Sequence, residues 1–223
     1  MTHPTTGFED PRPGLRAAWL RLASEAGLIG APDSVAGQAD ALLGRWSAPT
    51  RQYHDVRHLR SVLDSLAVLT APGPTPVAVE LAAWFHDAVY DGRPGADEEA
   101  SAVLAERVLA ELKAPTGLIA EVGRLIRLTI DHAVAEDDAA GAVLVDADLA
   151  ILGADEATYR RYTEDVRAEY AHLDDATFTR GRADVLRRLL NHDPLFRTHR
   201  GRELWQDAAH RNLAAELTRL SSR

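Results

Sequence analysis

The chain has 223 residues, 46% of them hydrophobic and 26% charged, with a formal net charge of −9 and no cysteine. That length and balance fit one globular domain with a full hydrophobic core. The acidity argues against an extended nucleic-acid surface, and the absence of cysteine excludes disulfides, thiolate nucleophiles and Cys-type zinc sites.

In chain order, residues 1–14 carry three prolines and read as an irregular arm. The stretch MTHPTTGFEDPRPG lacks the basic start and apolar core of a signal peptide. No apolar run approaches the ~20 residues of a membrane span. The expectation is a cytoplasmic protein without a membrane partner. From residue 15 to 223 the pattern is one domain of helical period, with little strand alternation. Helices are expected over Leu15–Ala26, Ser34–Trp46, Val56–Leu69, Pro76–Tyr90, Ala96–Lys113, Thr116–His132, Ala142–Leu152, Glu156–Ala171, Thr177–Asn191 and Arg202–Leu220. The breaks TAPGPTP, DGRPGAD, KAPTG and LGADEATY separate them. Thr75 with Pro76, and Asp155, supply start signals. The fold class is therefore all-α: a compact single domain of about ten helices.

Polar residues interrupt three apolar segments. The first is YHDVRHLRSV, where His54 and His58 stand four apart and share a face if the helix starts early enough. The second is LAAWFHDAVYDG, where His86 and Asp87 break the most apolar run. The third is VLVDADLAILG, which holds Asp146 and Asp148. A buried carboxylate without a partner costs several kcal/mol, so each must be paired, protonated or bound to a cation. One divalent ion would satisfy all three segments, since His and Asp ligate first-row metals. The dipeptide His-Asp alone carries little weight, because it recurs at His54–Asp55 and His192–Asp193 near element ends, where a cap or turn explains it.

The order His58, His86–Asp87, Asp148 resembles the H…HD…D signature of the HD-domain superfamily of metal-dependent phosphohydrolases. The phrases YHDVRHL, WFHDAVYD, DEEASA, LVDADLAILG, VRAEY and FTRGRADVLRRLL extend the likeness across Trp46 to Leu217, most of the chain. The resemblance implies an all-α HD-type bundle holding one divalent metal ion on His58, His86, Asp87 and Asp148. His54 competes with His58, and Asp146 with Asp148, because the basic residue of the family's AD(R/K)L phrase is missing here. It also implies hydrolysis of a phosphomonoester or phosphodiester of a small molecule such as a nucleotide. Asp87, His54 and Glu99 are the acid–base candidates, and His132, Arg57 and Arg182 the phosphate contacts. Asp91 and Glu98 lie nearby in sequence, and Arg93 is a further candidate phosphate clamp, because guanidinium suits phosphate oxygens. Ordinary helix-end charge explains Glu98 and Glu99 equally well. The RRYTEDVRAEY helix reads as a solvated face. The competing functions are a ligand-binding HD domain without turnover and a di-iron oxygenase. His132, the one further histidine between Asp87 and Asp148, argues against two metals.

Overall fold

A computed structural model describes residues 10–30 and 32–221, excepting the side chains of residues 32 and 33. Its ten α-helices run in chain order as α1 (Arg12–Glu25), α2 (Pro32–Trp46), α3 (Val56–Thr70), α4 (Val77–Phe85), α5 (Ala96–Glu111), α6 (Thr116–Arg127), α7 (Ala139–Asp148), α8 (Glu156–Glu169), α9 (Asp175–Leu190) and α10 (His199–Ser221). Short 3-10 turns, Leu128–Ile130 and Leu149–Gly153, extend α6 and α7. No strand occurs among the described residues, so the all-α expectation holds.

α4 organises the fold. Every residue from Val79 to Phe85 is buried, as expected for a helix apolar all round. It packs against α1, α3, α5, α6 and α7. Trp84 meets Trp19 edge-on with ring centroids 5.4 Å apart, and the Trp46 indole N–H donates to the Trp84 carbonyl at 3.0 Å. A second apolar cluster joins α8, α9 and α10 to the turn after α7, through Leu149, Leu152, Tyr159, Leu186, Phe196 and Leu213. α7 belongs to both, sending Leu144 and Ala147 to the first cluster and Val145 to the second. At Gly153 an added Cβ would stand 2.4 Å from the Trp205 Cβ, so only glycine lets this turn lie against α10.

Several boundaries differ from the sequence reading. α1 begins at Arg12, so the arm is shorter than residues 1–14; residues 1–9 lie outside the described part. Pro76, not Thr75, occupies the N-cap of α4, and the Thr75 hydroxyl pairs with that of Thr70. α7 starts at Ala139 because Asp138 caps it by accepting from the Gly141 N–H. Most consequentially, α4 stops at Phe85 rather than reaching Tyr90. Beyond it the Val89 N–H donates to Ser101 Oγ, and the Asp91 and Arg93 N–H groups donate to Asp97 Oδ2. Side chains of α5 take the donors that a longer α4 would have used internally.

Candidate metal centre and adjoining cavity

His86 is the C-cap of α4, and Asp87 lies in the turn that follows. His58 sits in the first turn of α3, whose start is fixed by Asp55 accepting from the Arg57 N–H. Asp148 is the last residue of α7. These three element ends converge where the two apolar clusters meet. His58 Nε2 stands 3.2 Å from His86 Nε2 and 3.2 Å from Asp148 Oδ1. His86 Nε2 is 3.6 Å from Asp148 Oδ1 and 3.3 Å from Asp87 Oδ2, and Asp87 Oδ2 is 3.8 Å from His58 Nε2. The ligand atoms of His58, His86 and Asp148 all lie within 4.8 Å of one another, the one such group among the described residues.

The donor set fits a divalent cation. Two ligands of one first-row ion, each at about 2.1 Å, stand roughly 3.0–3.4 Å apart, close to the spacings here. His86 Nδ1–H donates to the Ala83 carbonyl at 2.9 Å. A carbonyl only accepts, so Nδ1 carries the hydrogen and Nε2 offers its lone pair to the cluster. Both imidazoles are buried, and the two carboxylate side chains are 14% exposed. Burial depresses His58, outweighing Asp148 beside it. Burial also opposes protonation of His86, yet Asp87 and Asp148 hold it well above its ordinary value. Against the same burial cost, His86 holds Asp87 well below the usual carboxylate range, and His132, His58 and His86 do so for Asp148. The two carboxylates thus draw positive charge into the cluster, as a proton or as a metal ion.

Beside the cluster lies a cavity of about 150 Å³. Asp87 and Asp148 of the cluster line it together with His54, His132, Tyr90, Thr129 and Tyr170, as do the loop residues Gly92, Arg93 and Pro94 and, from α5, Asp97 and Glu98. Arg93 and Pro94 are exposed and form the rim. His132 adopts φ 57°, a left-handed conformation that non-glycine residues seldom take. It closes the turn after α6, and its Nε2 reaches Asp148 Oδ2 at 3.2 Å. Helix end and cavity wall are therefore the same residue.

His54 does not belong to the close ligand group. Its Nδ1 lies 2.6 Å from Glu169 Oε2, leaving Nε2 as the free ring nitrogen. Burial opposes its protonation, but Glu169 raises its pKa overall. Asp146 is excluded from the metal group by different bonds. Fully buried, it accepts from the N–H groups of Arg197 and Thr198 and from the Thr198 hydroxyl, pinning the loop before α10.

Three expected site residues are placed elsewhere. Glu99 is half-exposed and paired with Arg127 at 2.7 Å; its neighbour Glu98 turns to the cavity, because the helix that starts at Ala96 presents successive residues ~100° apart. Arg57 lies outside the cavity, on Asp55 and the Gln52 carbonyl. Arg182 is buried in the second cluster, its guanidinium spanning Glu216 and the Tyr162 hydroxyl. It reaches the site only by packing, through Tyr162 against Tyr53 and Tyr53 against His58.

Two residues unmarked in the sequence reading are built into the site. Glu169, placed there on a solvated face, has a side chain only 2% exposed. Its Oε1 accepts from the backbone N–H groups of Gln52, Tyr53 and His54, and its Oε2 faces His54 and the Tyr90 hydroxyl. Arg51 is buried with its guanidinium near the rings of Trp46 and Tyr90, donating to the His54 and Ala88 carbonyls. It ties the loop before α3 to the turn after α4. The one sequence signal for Glu169 was the phrase VRAEY that contains it, and Arg51 lies outside every such phrase.

No family model, curated protein or solved structure matches the chain.

Proposed function

We propose that the chain is a metal-dependent phosphohydrolase acting on a small phosphate ester. The observation that carries this reading is the convergence of two imidazole nitrogens and two carboxylates beside a small, polar cavity. The order of the ligands in sequence, with its resemblance to the HD-domain superfamily, supports it further. His58, His86, Asp87 and Asp148 would hold one divalent ion. Bound there, such an ion supplies Lewis-acid polarisation of a phosphoryl oxygen and lowers the pKa of water.

The chain's own residues divide the remaining work. His132 orients Asp148 through Oδ2, leaving Oδ1 toward the two histidines. Glu169 fixes His54 with a hydrogen on Nδ1 and Nε2 free at the cavity wall. That places a proton-transfer group for the attacking water or the leaving oxygen. Arg93 at the rim offers the one guanidinium on the cavity wall to a phosphate oxygen. Tyr90 and Tyr170 narrow the space and limit water.

The test is metal analysis of the purified protein, together with phosphate release from model monoesters and diesters. The His86→Ala, Asp87→Ala double variant should lose both metal and activity. Full retention of both would overturn the reading. Tight ligand binding without product over long incubation would favour the non-catalytic alternative, and oxygen consumption with a di-iron signature the oxygenase.

A further inference from the structure

The wall of the cavity toward α5 holds an acceptor without a hydrogen-bond donor. Asp97 is buried, with a side chain 5% exposed. Its Oδ2 is used by the N–H groups of Asp91 and Arg93, but its buried Oδ1 has no hydrogen bond. Arg93 Nε forms an ion pair with this oxygen at 3.5 Å, too long for a normal N–H···O contact, so an entering ammonium reaches Oδ1 by displacing the exposed Arg93 side chain. Glu98 lines the same wall, one of its oxygens accepting from the Gly95 N–H. Tyr170 stands beside them. An unsatisfied buried acceptor next to a carboxylate and an aromatic ring is the chemistry that receives an ammonium group.

The charge balance leads the same way. Four carboxylates line the cavity, Asp87, Asp97, Glu98 and Asp148, against one guanidinium, Arg93. Even with a divalent ion in the cluster, the formal charge of the lining is −1 with histidines neutral. A dianionic phosphate entering alone deepens the imbalance. Extra anionic groups on the substrate deepen it further, while a positive charge offsets it. The cavity is small, about 150 Å³. That accommodates a phosphoryl group with a short tail, and a nucleoside would have to project past Arg93 and Pro94.

Resting on the phosphohydrolase reading, we infer that the preferred substrate is a short aminoalkyl phosphate, its phosphate at the His58/His86/Asp148 cluster and its ammonium at Asp97 and Glu98. The test uses non-hydrolysable phosphonates, so that binding is read without turnover. Protein loaded with Mn²⁺ is titrated calorimetrically with 2-aminoethylphosphonate, ethylphosphonate and phosphonoacetate. The amine should bind at least about tenfold tighter than the ethyl compound, and the doubly anionic acid weakest. In Asp97→Asn and Glu98→Gln the amine-to-ethyl ratio should fall toward one. Equal or tighter binding of ethylphosphonate or phosphonoacetate by the unmodified protein overturns the substrate inference alone, and needs no variant to fold. An amine preference unchanged in both variants overturns the assignment to this wall. Failure of all three phosphonates to bind overturns the phosphate-ester reading itself, and the substrate inference with it.

Discussion

Replacing Glu169 with glutamine removes a charge from under the His54 loop while keeping the shape. In the native chain, burial opposes ionisation of Glu169, but His54 and the backbone N–H donors of Gln52 and His54 hold its carboxyl down to about 2, against an ordinary value of 4.5. A depression of that size corresponds to about 3 kcal/mol favouring the ionised, folded form. Solvent screening takes little from it, because the side chain is 2% exposed. The sign follows from the direction of the shift. A depressed carboxyl contributes stability that is fully present above its unfolded value near 4.5, and is lost as pH falls through the folded value near 2. Glu169→Gln should therefore unfold about 3 kcal/mol more easily than the native chain at pH 6–7 in urea denaturation. The gap should close progressively below pH 4.5. The glutamine amide can also donate to His54 Nδ1, which would shift the ring hydrogen to Nε2 and reverse its role at the cavity wall, so phosphate release should fall even in the folded fraction. A gap under about 1 kcal/mol at neutral pH, or one that does not change between pH 7 and pH 3, would refute the reasoning.

Three other outcomes follow from the same geometry. Asp146→Ala should cost about 3 kcal/mol by orphaning the Arg197 and Thr198 donors yet leave metal content unchanged, whereas Asp148→Asn should lose metal; inductively coupled plasma analysis beside denaturation separates the two. Arg182→Ala leaves Glu216 buried without its cation and should cost about 3–5 kcal/mol in chemical denaturation, with metal stoichiometry per folded molecule intact. Chelation should lower the melting temperature, and restoring a binding ion at a hundred times its Kd should return about 2.7 kcal/mol, an effect that His58→Ala should abolish in a thermal-shift titration.

Much of the architecture is local and was legible along the chain. The ten helices follow from apolar spacing and from caps such as Asp55 and Asp155, because a helix is written within 3–4 residues of each position. That the segments holding His58, His86 and Asp148 share one site was legible for an energetic reason: a polar group in an apolar run must find a counter-charge, whatever the topology; the preference for His58 over His54 and Asp148 over Asp146 came from the family resemblance. Which counter-charge it finds is a tertiary matter. Asp146 and Asp148 are two residues apart in one apolar segment, yet one meets the loop before α10 and the other meets two histidines. Glu98 and Glu99 are adjacent, and only the rotation of α5 against the cavity sends Glu98 inward and Glu99 to Arg127. The end of α4 at Phe85 depends on acceptors from Asp97 and Ser101, 12 and 16 residues later and on another helix. Glu169 and Arg51 look like surface charges in sequence, because charged residues usually are. They are buried because α8 delivers Glu169 to the backbone of residues 52–54 and because Trp46 and Tyr90 flank the Arg51 guanidinium. Periodicity by itself determined an all-helical chain, and the polar interruptions of three apolar segments pointed to a histidine–carboxylate cluster. Only packing decided which carboxylates join it, because partners for buried charge are chosen by distance in space.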